Sequence, residues 1–242
     1  MRAQSALLLA LALLGTSCSR KSETAAAPMP AAFGVALIES SGGKQFAETG
    51  NPLPLPVVVQ VNDEKGTAVP KALVEFDAVR GVSFDPRSAL TDDSGQVTTT
   101  VSLGTIAGRY QIVASTLDKS HKRVQLKLEE IALGYEQTLG KRLNDKYCDR
   151  CHNSESTAER VSNYDNLEVK PHPFSEGDTL NKMGDADLTA IITFGGPARD
   201  KSALMPAWGN TLAKTEIEAL ISYIRAASDP PSKSAGTVYG RD

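Results

Sequence analysis

The chain has few of the residues that cross-link a fold or form a metal cage. Its 242 residues contain three cysteines and three histidines, too few cysteines for the disulfide framework of a small secreted domain. Basic residues are not in excess, since 26 Lys and Arg face 29 Asp and Glu, and the formal charge of −3 gives no support to nucleic-acid binding. The apolar run Ala6 to Leu14 is too short to cross a bilayer by itself. The hydrophobic content of 40% still allows globular cores, and the length favours two small domains.

Two of the three cysteines lie in one short motif, Cys148-Asp149-Arg150-Cys151-His152. Thiols three positions apart in a helical turn emerge on one face, where they can form thioethers with the two vinyl groups of one porphyrin. His152 then follows where the proximal ligand of the iron is needed. A Cys-x-x-Cys pair can also be a zinc half-site or a redox dithiol, but zinc requires further ligands and the chain has few. The motif therefore predicts one covalent haem c, held by Cys148 and Cys151 and ligated by His152.

A low-spin haem iron needs a second axial ligand, and the region around the motif offers two methionines. Met205 is followed by Pro206, which restricts the preceding residue to extended geometry and gives its side chain a defined direction. Met183 lies in a polar stretch that does not resemble a haem pocket. We predict Met205 as the ligand; the alternatives are Met183, a second histidine at His172, or Met205 as a filler of the core.

The N-terminus has the pattern of an export signal. Arg2, the apolar run and the small residues before Cys18 are typical of a secretory signal that is removed, not of a membrane span. The end of this segment resembles the lipobox of bacterial lipoproteins, in which the cysteine is acylated, although Leu14 stands four positions before Cys18 where the family usually has leucine at three. A plain signal cleaved nearby is the alternative. We expect residues 1–18 to be a signal peptide, Cys18 to anchor an exported protein on the periplasmic or cell-surface side of a bacterial membrane, and residues 19–32 to be a flexible tether.

Residues 33–131 show the period of two that strands require. Five segments have apolar residues at alternate positions. They are Leu53, Leu55, Val57, Val59 and Val61; Ala72, Val74, Phe76 and Ala78; Val97, Thr99, Val101 and Leu103; Tyr110, Ile112 and Ala114; and Val124, Leu126 and Leu128. The turn residues Asp93-Ser94-Gly95 and Ala107-Gly108 separate some of them, and this spacing predicts an all-β antiparallel sandwich.

The same stretch resembles the bacterial immunoglobulin-like domains of invasin and intimin type. The likeness rests on the segments Val57 to Asp63, Thr91 to Gln96 and Leu103 to Tyr110, with Val69-Pro70 between them. In that family such domains are stalks or adhesive modules at the cell surface. The resemblance implies an immunoglobulin-like sandwich that serves as a spacer, or as an adhesion module to which a haem domain is accessory.

Near Leu133-Gly134 the apolar period changes to that of helices, and residues 134–230 read as a second, all-α domain. Three helices are predicted from apolar stripes, and a polar loop from Asn153 to Gly177 connects two of them. The stripes are Leu139, Leu143 and Tyr147; Leu188, Ile191 and Ile192, with Asp185 or Asp187 as the cap and Gly195-Gly196 at the end; and Ile217, Leu220, Ile221 and Ile224. Residues 231–242 are expected to be a disordered tail.

Residues Gly134 to Ser228 resemble the monohaem class I cytochromes c of bacteria. The likeness rests on the Cys148 to His152 motif, on Gly195-Gly196 before Met205-Pro206-Ala207-Trp208, and on the last helix with Tyr223. The resemblance implies His152 and Met205 as axial ligands and Tyr223 at the crossing of the terminal helices. Two positions depart from the family: Asn144 replaces an aromatic residue, and Ala213 replaces the Ser or Thr cap of the last helix.

Ligation by two protein side chains leaves no open position on the iron, so the function predicted is electron transfer and not enzymatic catalysis. Between Gly134 and Pro230 the chain has 11 Lys and Arg against 15 Asp and Glu, a net charge of −4 that favours a redox partner with a positive docking patch. A haem sensor or enzyme in which the methionine is displaced is the alternative.

Overall fold

The computed structural model describes residues 32–78, 81–155 and 161–232. The predicted signal peptide, Cys18, all but the last residue of the tether and most of the predicted tail lie outside these residues. Within the three described ranges, no helix combines the length and apolarity needed to span a bilayer.

The N-terminal region is a β-sandwich. Its strands follow one another along the chain, with bounds as follows: β1 (Ala36–Ser41), β2 (Phe46–Glu48), β3 (Val57–Asn62), β4 (Leu73–Ala78), β5 (Ser83–Asp85), β6 (Ser88–Leu90), β7 (Gln96–Ser102), β8 (Gly108–Leu117) and β9 (Arg123–Leu133). One sheet has the order β1-β3-β7-β5 and the other β2-β9-β8-β4-β6. The pairings are antiparallel except for β2 on β9, which is parallel. The predicted sandwich is therefore confirmed, with one parallel edge that the alternation did not indicate.

Most of the predicted alternating side chains lie in the core of the sandwich, but Leu55 and Val124 do not belong to it. Val57, Val59 and Val61 are completely buried, as one inward face of a strand requires. Leu55, however, is 61% exposed, and the strand begins only at Val57. The alternation extended too far because Pro52, Pro54 and Pro56 interrupt the segment before it, and proline has no N–H to donate to a sheet.

Strand β9 belongs to both domains. On one face, Leu128 and Ala132 join the core of the sandwich; on the other, Ile131 and Leu133 join the apolar core of the helices. The strand ends at Leu133, and Gly134 is the N-cap of the first helix. The change of period near this point thus marks a change from strand to helix without an intervening linker.

The second domain is helical. Its elements are α1 (Tyr135–Leu143), a π-helical turn (Asn144–Cys148), α2 (Asp149–His152), a 3₁₀ turn (Tyr164–Asn166), α3 (Gly177–Leu180), α4 (Asp185–Phe194), a second 3₁₀ turn (Gly196–Arg199) and α5 (Lys214–Ala227). Helices α1 and α5 cross at Gly140, where a Cβ atom would overlap the carbonyl oxygen of Ala219 and lie 2.7 Å from Cβ of Tyr223. Glycine permits this close crossing, and Tyr223 lies at it, as predicted.

The cap predicted for α4 is wrong. The N-cap is Gly184, and neither Asp185 nor Asp187 caps with its side chain. Both carboxylates bind arginines instead: Asp187 accepts from Arg199, and Asp185 accepts from the buried Arg225 at 2.8 and 2.9 Å. A charge-assisted hydrogen bond from a guanidinium is stronger than one from a backbone N–H. The two carboxylates therefore accept from the arginines and do not cap the helix.

Helix α5 starts without a side-chain cap, as the sequence predicted from Ala213. Glu216 compensates in part, because its Oε2 accepts the backbone N–H of Ala213 at 2.8 Å. Farther along the same helix, Arg225 donates to the carbonyl oxygens of Leu180 at 2.6 Å and Met183 at 2.5 Å. One buried guanidinium therefore connects α5 to the end of α3 and the start of α4.

Candidate haem site

The Cys-x-x-Cys-His motif follows directly from the first helix. Helix α1 continues into the π-helical turn that ends at Cys148, and α2 then carries Cys151 and His152. Single π-helical turns inside α-helices are frequent at functional sites, because the extra residue displaces the side chains that follow it. Here the turn comes immediately before the residues predicted to hold a cofactor.

Neither cysteine of the motif is in a disulfide. Cys148 is buried and Cys151 is partly exposed. Burial raises the pKa of the Cys148 thiol to about 12, and the nearby charge of Asp149 adds to the effect. The sulfur therefore sits in a place that favours an uncharged group, and a thioether is uncharged.

The position of His152 is fixed by a hydrogen bond to a backbone carbonyl. Its Nδ1 lies 2.8 Å from the carbonyl oxygen of His172. A carbonyl can only accept, so Nδ1 must carry the proton and Nε2 retains a free lone pair. Burial also lowers the pKa of His152, which favours the neutral ring. This tautomer is the one a metal-ligating histidine needs, and such hydrogen bonds orient the ring and raise its basicity.

The segment that supplies this carbonyl is itself held in place. The ring of Phe174 lies 4.8 Å from that of His152, and Glu176 Oε2 lies 2.9 Å from Nδ1 of His172. Backbone hydrogen bonds between Ser175, Gly177 and Asp229, of 2.9 and 3.0 Å, connect the segment to the chain after α5. Sequence reasoning singled out neither Phe174 nor Glu176, although the spacing of four residues between His172 and Glu176 was a usable signal.

The backbone at Met205 is held by the two glycines that end α4. Gly195 ends the helix with φ of +84°, and the N–H of Gly196 donates to the carbonyl oxygen of Met205 at 3.0 Å. A Cβ atom on Gly195 would lie 2.9 Å from that oxygen, and one on Gly196 would lie 3.2 Å from Cβ of Met205. Only glycine lets the two segments approach so closely. The sequence Gly195-Gly196 therefore sets the path of the Met205 segment.

The two methionines have different surroundings. Met183 is partly buried and packs against the apolar core of the helical domain, so the polar setting predicted for it is wrong. Met205 is also partly buried, but it is not among the residues packed against that core. Packing thus occupies the Met183 side chain, and the Met205 side chain has no such role in the described structure.

An aromatic contact joins the two halves of the site. The ring of Trp208, three residues after Met205, lies 5.2 Å from the ring of Tyr147, which directly precedes Cys148. The Trp208 backbone N–H donates to the carbonyl oxygen of Ile192 in α4 at 2.9 Å. Aromatic pairs at this distance contribute about 0.5–1.5 kcal/mol beyond their buried area. The fold thus brings Trp208, three residues after Met205, to the residue that directly precedes the Cys148 to His152 motif.

The structure shows two thiols and one neutral imidazole in the motif, and the thioether of Met205 stays the predicted fourth donor. Across residues 32–78, 81–155 and 161–232, no group of three or more His, Cys, Asp or Glu side chains is placed to hold a metal ion. The donors fit a porphyrin-bound iron, which brings four nitrogen ligands of its own and takes histidine and methionine as axial ligands.

Comparison with protein families agrees with this chemistry. Residues 136–224 match the family described as cytochrome C oxidase, cbb3-type, subunit III. The matched range contains the cysteine motif, His152 and Met205. Residues 136–224 thus resemble a cytochrome c domain, and in this chain they are preceded by the β-sandwich described above.

Among solved structures, similar chains include intimin, invasin and an adhesin. The D00-D0 domain of intimin is 19% identical with a TM-score of 0.33, and the match covers 44% of this chain and 50% of that one. Invasin, a bacterial integrin-binding protein, is 17% identical with a TM-score of 0.31, and the match covers 40% of this chain and 19% of that one. The adhesin InvE of Yersinia pseudotuberculosis is 14% identical with a TM-score of 0.31, and the match covers 43% of this chain and 33% of that one. The chain thus spans half or less of each of these structures. A comparison with curated protein sequences gives no match.

Proposed function

We propose that this protein transfers electrons through one covalently bound haem c with histidine and methionine as axial ligands. The observation that carries the proposal is the hydrogen bond from His152 Nδ1 to the His172 carbonyl, which leaves Nε2 as a ligand beside two free thiols. One haem per chain follows because the sequence has a single Cys-x-x-Cys-His motif.

The roles of the residues follow from their chemistry. Bound haem supplies reversible one-electron exchange at its iron. Cys148 and Cys151 would hold the porphyrin through thioethers, His152 would be the proximal ligand, and Met205 the second axial ligand. A thioether is a soft donor that stabilises ferrous iron and raises the potential. With both axial positions filled by protein, substrate has no place on the iron, which supports outer-sphere electron transfer.

The charge of the domain supports a particular kind of partner. Its net charge of −4, before any haem propionates, would steer association with a redox protein that has a positive patch. Such steering weakens as ionic strength rises, because salt screens charges farther apart than about 8–10 Å. The rate of electron exchange with the natural partner should therefore fall with added salt.

We also propose that the protein is exported and anchored to a bacterial membrane through acylated Cys18, with the sandwich as a spacer between anchor and haem domain. The order of parts supports this: a signal-like segment, a polar stretch, a sandwich without a metal-type cluster among its described residues, and then the cytochrome domain. A sandwich holds the haem at a more defined distance from the membrane than a flexible tether of the same length.

Two settings fit the carrier: it acts alone, or it acts within a larger oxidoreductase, and the matched family supports the second. That family is described as a subunit of a cytochrome oxidase. In both cases the role proposed for this chain is to pass electrons to a partner, and isolation of the protein from its native membrane would show whether it co-purifies with oxidase subunits.

The test of the ligand assignment is a pair of matched variants, Met205→Ala and Met183→Ala. Met205→Ala should open the sixth position, lower the potential and allow carbon monoxide to bind the reduced protein. Met183→Ala should reduce stability, because Met183 packs against the core, but should leave the reduced spectrum unchanged. The opposite pattern would assign the ligand to Met183.

Two further outcomes of the same experiment are informative. If neither variant changed the reduced spectrum, a histidine such as His172 would be the ligand, and a bis-histidine carrier would replace the one proposed. If the unmodified protein already bound carbon monoxide readily, the methionine would be displaceable, and a haem sensor or enzyme would be the better description.

A further inference from the structure

The sandwich and the helical domain are joined by a buried arginine that no sequence pattern indicated. Arg109 in β8 is 7% exposed. Its guanidinium donates to the carbonyl oxygens of Ala226, at 3.2 Å, and of Ser228, and it pairs with Glu129 on the neighbouring strand. A residue of the sandwich is thus bound to the last turn of α5.

These two carbonyls are the kind that a helix leaves without partners. The last four carbonyls of a helix have no intrahelical donor, and they carry the negative end of its dipole. A cation at that end is favourable, and it usually comes from the helix itself or from the residues just after it. Here it comes from Arg109, 117 residues before Ala226. The carbonyls of Ala226 and Ser228 therefore receive the Arg109 guanidinium only when the sandwich is in place.

Apolar contacts surround this arginine. Ile131, opposite Arg109 in the strand register, contributes with Leu133 to the core of the helical domain. Phe46 in β2 is the register partner of Ile131 on its other side, and its ring lies 5.7 Å from the ring of Tyr223. Since Tyr223 lies at the crossing of α1 and α5, the sandwich contacts the central packing of the helical domain.

The connection between the domains adds to the constraint. Only Gly134 separates the end of β9 at Leu133 from the start of α1 at Tyr135. The backbone N–H of Gly134 is itself bound by the side chain of Gln137 at 3.1 Å. Rotation of one domain against the other would have to break the end of the strand or the first turn of the helix.

We propose that the sandwich holds the haem domain in one fixed orientation. Arg109 is the positioning residue that maintains this orientation by capping α5. The sandwich then does more than add distance: it fixes the direction in which the haem domain faces. The surface around Tyr223 and the end of α5 is covered and closed to a redox partner. These contacts are between protein residues and do not depend on which side chain is the second axial ligand of the iron.

The experiment uses the full chain, produced in a host that attaches haem c, with the variant Arg109→Leu and the control Arg87→Leu. Arg87 is an exposed sandwich arginine that pairs with Asp77, so its loss tests the effect of removing a charge alone. In Arg109→Leu, we expect amide hydrogen exchange in the last turn of α5 to rise about tenfold or more. Unfolding of the helical domain, followed by the fluorescence of the single tryptophan, Trp208, should begin at a lower urea concentration. The control should match the unmodified protein in both measurements.

A third measurement separates positioning from general stabilisation. Arg109→Lys keeps the charge and can still donate to a carbonyl, so it should restore part of the protection of α5 that Arg109→Leu loses. Small-angle X-ray scattering should show a larger radius of gyration for Arg109→Leu than for Arg109→Lys. Equal exchange and equal scattering for Arg109→Leu and the Arg87→Leu control would overturn the proposal.

If Arg109→Leu cannot be obtained in folded form, Phe46→Leu tests the same interface. It removes the ring contact with Tyr223 and keeps an apolar side chain of moderate size. The same changes, smaller in size, are expected. If Phe46→Leu left both the amide hydrogen exchange of α5 and the unfolding transition followed by Trp208 fluorescence unchanged, the proposed fixed orientation would be refuted.

Discussion

A buried carboxylate makes the stability of this protein depend on pH. Glu130 in β9 is fully buried, at 0% exposed. Its Oε2 accepts the backbone N–H of Gln45 at 2.6 Å, and its Oε1 has no hydrogen-bond partner among the described residues. Burial raises the pKa of Glu130 from 4.5 to about 7, and the charges of Glu39 and Glu129 contribute, against the opposing effect of backbone donors at Gln45 and Lys44.

The sign of the effect follows from linkage. Between pH 4.5 and 7 the folded protein holds a proton on Glu130 that the unfolded chain has released, so stability falls as the pH rises through this range. Below pH 4.5 both states are protonated and there is no penalty. A pKa raised from 4.5 to about 7 corresponds to about 3 kcal/mol, at about 1.4 kcal/mol per pH unit. The free energy of unfolding is therefore lower by about this amount above pH 7.

The variant Glu130→Gln keeps an acceptor for the Gln45 N–H and cannot ionise. We expect it to be more stable than the unmodified protein at pH 8, by up to about 3 kcal/mol, and close to it at pH 4.5. Urea unfolding followed by far-ultraviolet circular dichroism at pH 4.5, 6 and 8 measures the difference, and Glu64→Gln, at an exposed position, is the control. A difference between Glu130→Gln and the unmodified protein that stays constant from pH 4.5 to 8 would refute the argument, because it would mean that Glu130 does not titrate differently in the folded state.

Three further predictions concern attachment, packing and anchoring. Cys148→Ser or Cys151→Ser should leave a single thioether or none, so denaturing acid should extract more haem than from the unmodified protein; fully covalent haem in both variants would contradict the attachment sites. Gly140→Ala should push α1 away from the Ala219 carbonyl and cost about 1–3 kcal/mol, measured as a lower midpoint of thermal unfolding, and an unchanged midpoint would show that the crossing is looser than described. Cys18→Ser should convert a membrane-bound protein into a soluble exported one, and its recovery in the membrane fraction would exclude the lipid anchor.

The features that sequence predicted best were those with a strong local signal. Val57, Val59 and Val61 alternate because one face of their strand is buried, and the stripe from Ile217 to Ile224 is buried because α5 packs through one side. The Cys148 to His152 motif falls at a π-helical turn followed by a short helix, whereas Met205 as the second ligand stays a prediction. In each case neighbouring residues alone contain the information.

What sequence could not predict depends on partners distant in the chain. Arg109 sits in an alternating strand, where an arginine normally signals a solvent-facing position, yet it is buried because the end of α5 lies over it. Glu130 lies two positions after Leu128 and faces the interior on the same side of β9. From sequence alone, an acidic residue at such a position would indicate that the strand has ended. The caps assigned to Asp185 and Asp187 were wrong for the same reason, since distant arginines take both carboxylates.

The buried Arg225 has a consequence for the order in which the domains form. The sandwich is complete once the chain has reached Leu133, whereas the helical domain needs α5, whose Arg225 binds the carbonyl of Leu180, 45 residues earlier. Because a chain emerges from its N-terminus during synthesis, we expect the sandwich to fold first on the ribosome. Its face at Ile131, not yet covered, then serves as a template on which the last helix assembles, and hydrogen exchange on ribosome-bound chains that end before α5 should show β9 already protected. Haem attachment would then act on a helical domain that is still open, with its Cys148 thiol not yet enclosed.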